Sequence, residues 1–134
     1  MIRERKTTST IIITAVVATL AIVASNVANA PTKEVVHVWT VEDSKAYALD
    51  TVNAWSANQF MCLEKLWHKE SNWRSNAYND IKVMGKNAGG IPQLLGLSPS
   101  TPPTQQIDRG FSYIMYRYST PCTAWKFHKK NGWY

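Results

Sequence analysis

The stretch Cys62 to Ser71, CLEKLWHKES, decides how the chain is read. Leu63, Leu66, Trp67 and Glu70 recur at spacings of three and four, and Phe60 extends the series upstream, so the apolar stripe of one helix ends on an acid. Just before it, Ser56-Ala57-Asn58-Gln59 has the S-x-x-Q form of a capping box, in which the serine oxygen takes an orphan backbone N–H and the glutamine reaches back. A helix is therefore expected from Ser56 to about Ser71, with Glu70 in its last turn. A carboxylate there faces the negative end of the helix dipole, and Leu66 and Trp67 beside it exclude water. Both effects disfavour the charged form. Glu70 is a candidate proton donor, although position alone equally allows a solvated glutamate at a helix end.

Working outward, the N-terminus carries Arg3, Arg5 and Lys6, then an uncharged apolar run from Ile11 to Ala24, then Ala28-Asn29-Ala30. This pattern predicts a secretory leader over residues 1–30, cleaved after Ala30. The apolar run is shorter than the roughly 20 residues that span a bilayer. Removing Arg3, Arg5 and Lys6 together with Glu4 lowers the formal charge of +6 by two, to about +4. The remaining Lys and Arg are scattered, with only Lys129 and Lys130 adjacent, which argues against nucleic acid and suits a polyanionic cell wall or simply solubility. Cys62 and Cys122 are the only cysteines, and an exported chain pairs such a couple in a disulfide. No CxxC or local histidine pair accompanies them, so no metal, thiol redox chemistry or organic cofactor is implied.

Pro31 to Thr40 reads as a loosely docked arm with His37 exposed, and a helix is expected from Asp43, with Ala46, Leu49, Val52 or Asn53, and Trp55 on its inner face. Residues 31–54 thus form an arm and helix ahead of the main domain, 55–134. Ser71 to Met84 is rich in Asn and Ser, predicting irregular structure with a short strand at Ile81 to Met84. Trp73 and Tyr78 within it suit either a sugar cleft or ordinary packing. Gly85, Gly89 and Gly90 flank GKNAGGIPQLLG, which by itself reads as a turn before a short helix. After the proline-rich loop LSPSTPPT, Ile107, Phe111, Ile114 or Met115, and Tyr118 predict a helix from about Thr104 to Tyr118, with Tyr113 off the stripe, either exposed or facing a cleft. A last element is expected at Thr123 to Lys129, with Ala124, Trp125 and Phe127 inward and His128 on the surface.

Taken in order, CLEKLWHKESNW, AGGIPQ, GFSYIMYRYSTPCTAW and a terminal GWY resemble the lysozyme-like transglycosylase (SLT) domain in its small secreted actinobacterial form, over about Trp55 to Tyr134. The resemblance implies a mainly α (α+β lysozyme-like) domain with a cleft and a possible short β-hairpin. It implies Glu70 as the sole catalytic acid, Gly90-Ile91-Pro92-Gln93 as a cleft wall, and Tyr113 lying against the glutamate. Ser71, Gly90, Ile91, Gln93 and Tyr113 are thus expected to touch substrate or orient Glu70. It further implies a secreted, wall-associated monomer acting on peptidoglycan glycan strands, without nucleic-acid partners or stable membrane insertion once the leader is removed. Two residues depart from the family pattern: Pro92 stands where methionine is usual, and Gly89 where an aromatic is more common. The spacer before Gly90 also carries Asp80, Lys82 and Lys86, which bear on subsite preference.

The residue types fit that chemistry. Breaking a glycosidic bond needs a proton on the leaving oxygen while positive charge develops on the sugar, and a protonated carboxyl in a partly dry cleft supplies it. As the resemblance implies, the C6 hydroxyl of N-acetylmuramic acid then closes onto C1, and no second carboxylate is needed. If Asp80 positions a water instead, the enzyme is a hydrolysing muramidase. A wall-binding module that keeps the fold without turnover is the non-enzymatic alternative. Glu64 and Asp108 are expected to be solvated or ion-paired.

Overall fold

The computed structural model describes residues 37–52 and 55–134. The expected leader and the first part of the arm, residues 31–36, lie outside the described residues. Among these, the elements in order are α1 (Val41–Val52), α2 (Ala57–Ser71), β1 (Tyr78–Val83), β2 (Lys86–Gly89), β3 (Leu94–Leu95), α3 (Pro103–Tyr118) and α4 (Pro121–Asn131). The architecture is mainly helical, with one small antiparallel sheet and a Cys62–Cys122 disulfide. No helix among the described residues is long and apolar enough to cross a membrane.

Ser56 is the N-cap of α2, as its spacing predicts, but the capping box does not form, because Ser56 makes no side-chain cap bond. Gln59 Oε1 instead accepts the Cys122 N–H at 2.9 Å, satisfying an orphan amide in the first turn of α4 beside the disulfide. A reciprocal box appears one helix earlier. Thr40 N–H donates to the Asp43 carboxylate at 2.8 Å, and Asp43 N–H donates to Thr40 Oγ1 at 3.1 Å. That box starts α1 at Val41, ahead of the expected Asp43, and rotates Ser44, Ala48 and Val52 inward. Ala46 and Leu49, expected inside, are exposed.

The stripe of α2 is buried as expected, with Leu63, Leu66 and Trp67 at 0% exposure. Each such side chain contributes about 1.5–3 kcal/mol of hydrophobic stabilisation. Ile107, Phe111, Ile114 and Tyr118 of α3 and Ala124 of α4 meet it, while Met115 faces out. Ala48 and Val52 join the same core, so α1 packs into the domain rather than standing apart with the arm.

The expected single strand is a three-stranded sheet in the order β1-β2-β3. Met84 and Gly85, both at positive φ (52° and 76°), form the two-residue turn that matches the twist of a hairpin. The segment after Gly90 is a turn leading into β3, not a short helix.

Candidate active site

Glu70 is where it is because α2 stops immediately after it. Asn72 takes the left-handed conformation at φ 52° and its N–H returns to the His68 carbonyl at 3.0 Å, while the Trp73 N–H reaches the Trp67 carbonyl at 3.4 Å. The Asn72-to-His68 bond is the 5→1 closure of an αL stop. Trp73, itself at φ 61°, folds back against Trp67 with ring centroids 5.1 Å apart and donates its indole N–H to the Glu64 carbonyl at 3.2 Å. Of the two readings open for it, Trp73 is a core residue, 1% exposed.

The Glu70 side chain keeps 17% exposure, and the His128 side chain of α4 keeps 14%. Among the described residues Glu70 Oε1 is fully enclosed and has no hydrogen-bond partner. His128 Nε2 stands 3.1 Å from it, close in distance but short of hydrogen-bond alignment. Burial raises the Glu70 pKa to about 7. Burial, and after it the charge of Lys69, lower that of His128. Both groups are pushed toward neutrality. His128 is therefore not the surface histidine expected from its lysine neighbours.

Behind Glu70, three consecutive carbonyls are each held by a side chain. Gly90 O accepts from Gln93 Nε2 at 3.0 Å, Ile91 O from Ser71 Oγ at 2.6 Å, and Pro92 O from the Tyr134 hydroxyl at 2.9 Å. The Ile91 N–H goes to Gln106 Oε1 at 2.8 Å. Ser71 and Ile91 are buried, at 3% and 0% exposure. These bonds join Ser71, Gly90, Ile91 and Gln93 in one wall segment, and their expected contact with substrate or with Glu70 carries forward as a proposal.

The two glycines here are sterically required. A Cβ on Gly89 would collide with the Leu97 carbonyl oxygen. Gly90 has φ +72°, and a Cβ on it would collide with Gln106 Oε1.

Tyr113 is partly buried, and its hydroxyl accepts from Arg117 at 3.1 Å. Its ring lies edge-on to Tyr134, 5.6 Å between centroids. Tyr134 feels the same acid: burial and then the Glu70 charge raise its pKa well above the usual tyrosine range. Trp67 Nε1 donates to its oxygen at 2.9 Å. Asp80 lies exposed on β1. Glu64 pairs with Lys45 at 2.9 Å, and Asp108 accepts from the Tyr47 hydroxyl at 3.0 Å. His37, exposed as expected, approaches Asp43 at 3.1 Å.

Groove size does not select this site. A groove of about 580 Å³ is lined by Tyr78, Asn87, Gly96, Leu97, Ser98 and Pro99, and another of about 250 Å³ lies between Trp39 and Arg74; Glu70 lines neither. What selects Glu70 is chemistry: a half-dry carboxyl with an unpartnered oxygen and a raised pKa.

Comparison with protein-family models, curated proteins and solved structures returned no match.

Three residues of this site escape a sequence reading: His128, Tyr134 and Gln106. A signal for the first existed. A disulfide that sets Cys62 and Cys122 side by side leaves positions about two helical turns further along each helix, Glu70 and His128, as neighbours if the helices run the same way. Gln106 and Tyr134 act through backbone carbonyls far away in sequence, for which no local pattern exists.

Proposed function

We propose that the chain is a lysozyme-like enzyme of the cell exterior that cleaves peptidoglycan glycan strands between N-acetylmuramic acid and N-acetylglucosamine by lytic transglycosylation. The observation that carries this reading is the state of Glu70, a carboxyl with a pKa near 7, one enclosed oxygen and residual exposure at the end of a rigid helix. Such a group is protonated often enough near neutral pH to act as an acid, and basic enough afterwards to act as a base.

The Glu70 proton passes to the glycosidic oxygen, the C1–O4 bond breaks, and positive charge develops at C1. The Glu70 carboxylate then removes the proton from the C6 hydroxyl, and O6 bonds to C1. Glu70 ends protonated, water is not consumed, and the products are a 1,6-anhydro muramoyl end and a free 4-hydroxyl. No partner carboxylate has to stand opposite Glu70, in keeping with Asp80 lying exposed on a strand.

The test is Glu70→Gln, which keeps shape and hydrogen-bonding capacity but cannot donate and recover a proton. Release of soluble fragments from purified wall should fall by at least about a hundredfold, with unchanged circular dichroism. Normal release by that variant would remove Glu70 from the chemistry.

A further inference from the structure

Taking Glu70 as the acid proposed above, we infer that His128 is its positioning residue: the imidazole holds the enclosed Oε1 and so leaves the acid proton on Oε2, the oxygen a substrate can reach. Oε1 is wholly buried while the side chain keeps 17% exposure, so the accessible part lies on its other side. His128 Nε2, 3.1 Å away, is the polar side-chain atom placed against Oε1. A neutral imidazole carries one N–H. With that hydrogen on Nε2, Oε1 is an acceptor and the carboxyl hydrogen belongs to Oε2. Small alignment gaps of this kind close when substrate binds.

The rest of the fold holds the imidazole in place. Its ring is stacked on Trp125, centroids 5.5 Å apart and planes 19° from parallel, and Lys129 lies over the other ring at 5.8 Å. The helices carrying the pair are clamped at their opposite ends by the Cys62–Cys122 disulfide and by Gln59 on the Cys122 N–H. During the reaction His128 gives up no proton. It donates toward Oε1 while the carboxylate exists, and the proton taken from the C6 hydroxyl returns to Oε2.

The charged and titratable groups around the pair come from three sides. Lys69 on α2 disfavours the imidazolium. Tyr134 lies by Glu70, with Tyr113 and Tyr118 of α3 behind it. Arg117 sits over Tyr113, Tyr118 and Trp133. Of the side chains in ion-pair range of Glu70 among the described residues, His128 is the one at Oε1.

The experiment is a carbon-13 NMR titration of the Glu70 carboxyl in wild type, His128→Phe and His128→Gln, with kinetics on soluble glycan strands alongside. In wild type the Glu70 curve should show a second, smaller step at the His128 midpoint. His128→Phe keeps an aromatic ring on Trp125 but removes the donor, so the Glu70 midpoint should rise by about one unit, and His128→Gln should hold it near wild type. kcat should fall about 10- to 100-fold in His128→Phe with KM little changed, and largely recover in His128→Gln. A Glu70 midpoint equal in wild type and His128→Phe overturns the positioning role even if the wall is cleaved. Coupled titration without wall cleavage supports the pair and overturns the enzymatic reading. Should the phenylalanine variant not fold, a single-step Glu70 curve in wild type is enough to overturn the role.

Discussion

Trp67 and Tyr134 are joined by one hydrogen bond, indole Nε1 to phenolic oxygen at 2.9 Å, and the same hydroxyl passes its proton on to the Pro92 carbonyl at 2.9 Å. The centre of α2, the wall segment and the C-terminal aromatic are thereby one unit. Tyr134→Phe removes the acceptor of a buried indole N–H and the donor to Pro92. The loss should be about 1–3 kcal/mol, a fall in Tm on the order of 10 °C. Thermal unfolding checks it, and an unchanged Tm would mean that Trp67 finds another partner.

Gln106 is the second hub. Fully buried, it accepts from the Ile91 N–H at 2.8 Å and donates to the Ser75 and Thr101 carbonyls at 3.0 and 2.7 Å. Gln106→Leu preserves bulk but strands all three backbone groups, so denaturant unfolding should show a loss of roughly 3 kcal/mol or more. A loss below about 1 kcal/mol would indicate that these loops reach water or repack.

Glu70 is expected to cost stability. Its folded pKa of about 7 lies above the ordinary 4.5, so the folded state holds the proton more tightly and loses stability as pH rises from 4.5 through 7. The full cost above pH 7 is up to roughly 3 kcal/mol. His128, lowered by burial, works the other way as the medium turns acid. Glu70→Gln should therefore gain on wild type as pH rises, with a Tm difference larger at about pH 8.5 than at about pH 4.5. A difference that does not change with pH would contradict the raised pKa.

The legible parts of this chain were those written in local periodicity. Helical spacing alone determines a face, so Leu63, Leu66 and Trp67, and Ile107, Phe111 and Tyr118, are legible as core, while the choice between Ile114 and Met115 falls to Ile114 only in the structure. The pairing of Cys62 with Cys122 was legible because they are the only two cysteines of a chain whose N-terminus has the pattern of a leader. What misled was a motif competing for the same residue: Gln59 fits a capping box, yet it satisfies an amide of α4 that no local pattern reveals. The α1 face was misread because Thr40 and Asp43 set the helix start and thus its rotation. The hairpin was expected only through the resemblance: locally its strand is exposed on both faces, leaving no alternation, and its turn is Met-Gly rather than Asn-Gly. Glu70 itself was legible as a position, but His128 and Tyr134 meet it only through tertiary packing.

The disulfide closes a loop of sequence separation 60 and ties α2 to α4. Loop entropy puts its contribution at roughly 4 kcal/mol. Reduction, or Cys62→Ser with Cys122→Ser, should lower Tm by on the order of 15 °C or more. Because the same bridge aligns Glu70 with His128, losing it should take the imidazole donor from Oε1 and raise the Glu70 midpoint, as His128→Phe does. A lowered Tm with the midpoint retained would show that the core alone aligns the pair.

The central claim, that Glu70 cleaves glycan strands without a water nucleophile, is tested most directly by mass analysis of muropeptides released from purified wall by the wild-type chain, with Glu70→Gln as the control. Ends lighter by one water than the reducing sugar, carried by 1,6-anhydro muramoyl residues and absent from the control, are the predicted result. Reducing ends would assign the site to hydrolysis, and no released fragments would contradict cleavage altogether.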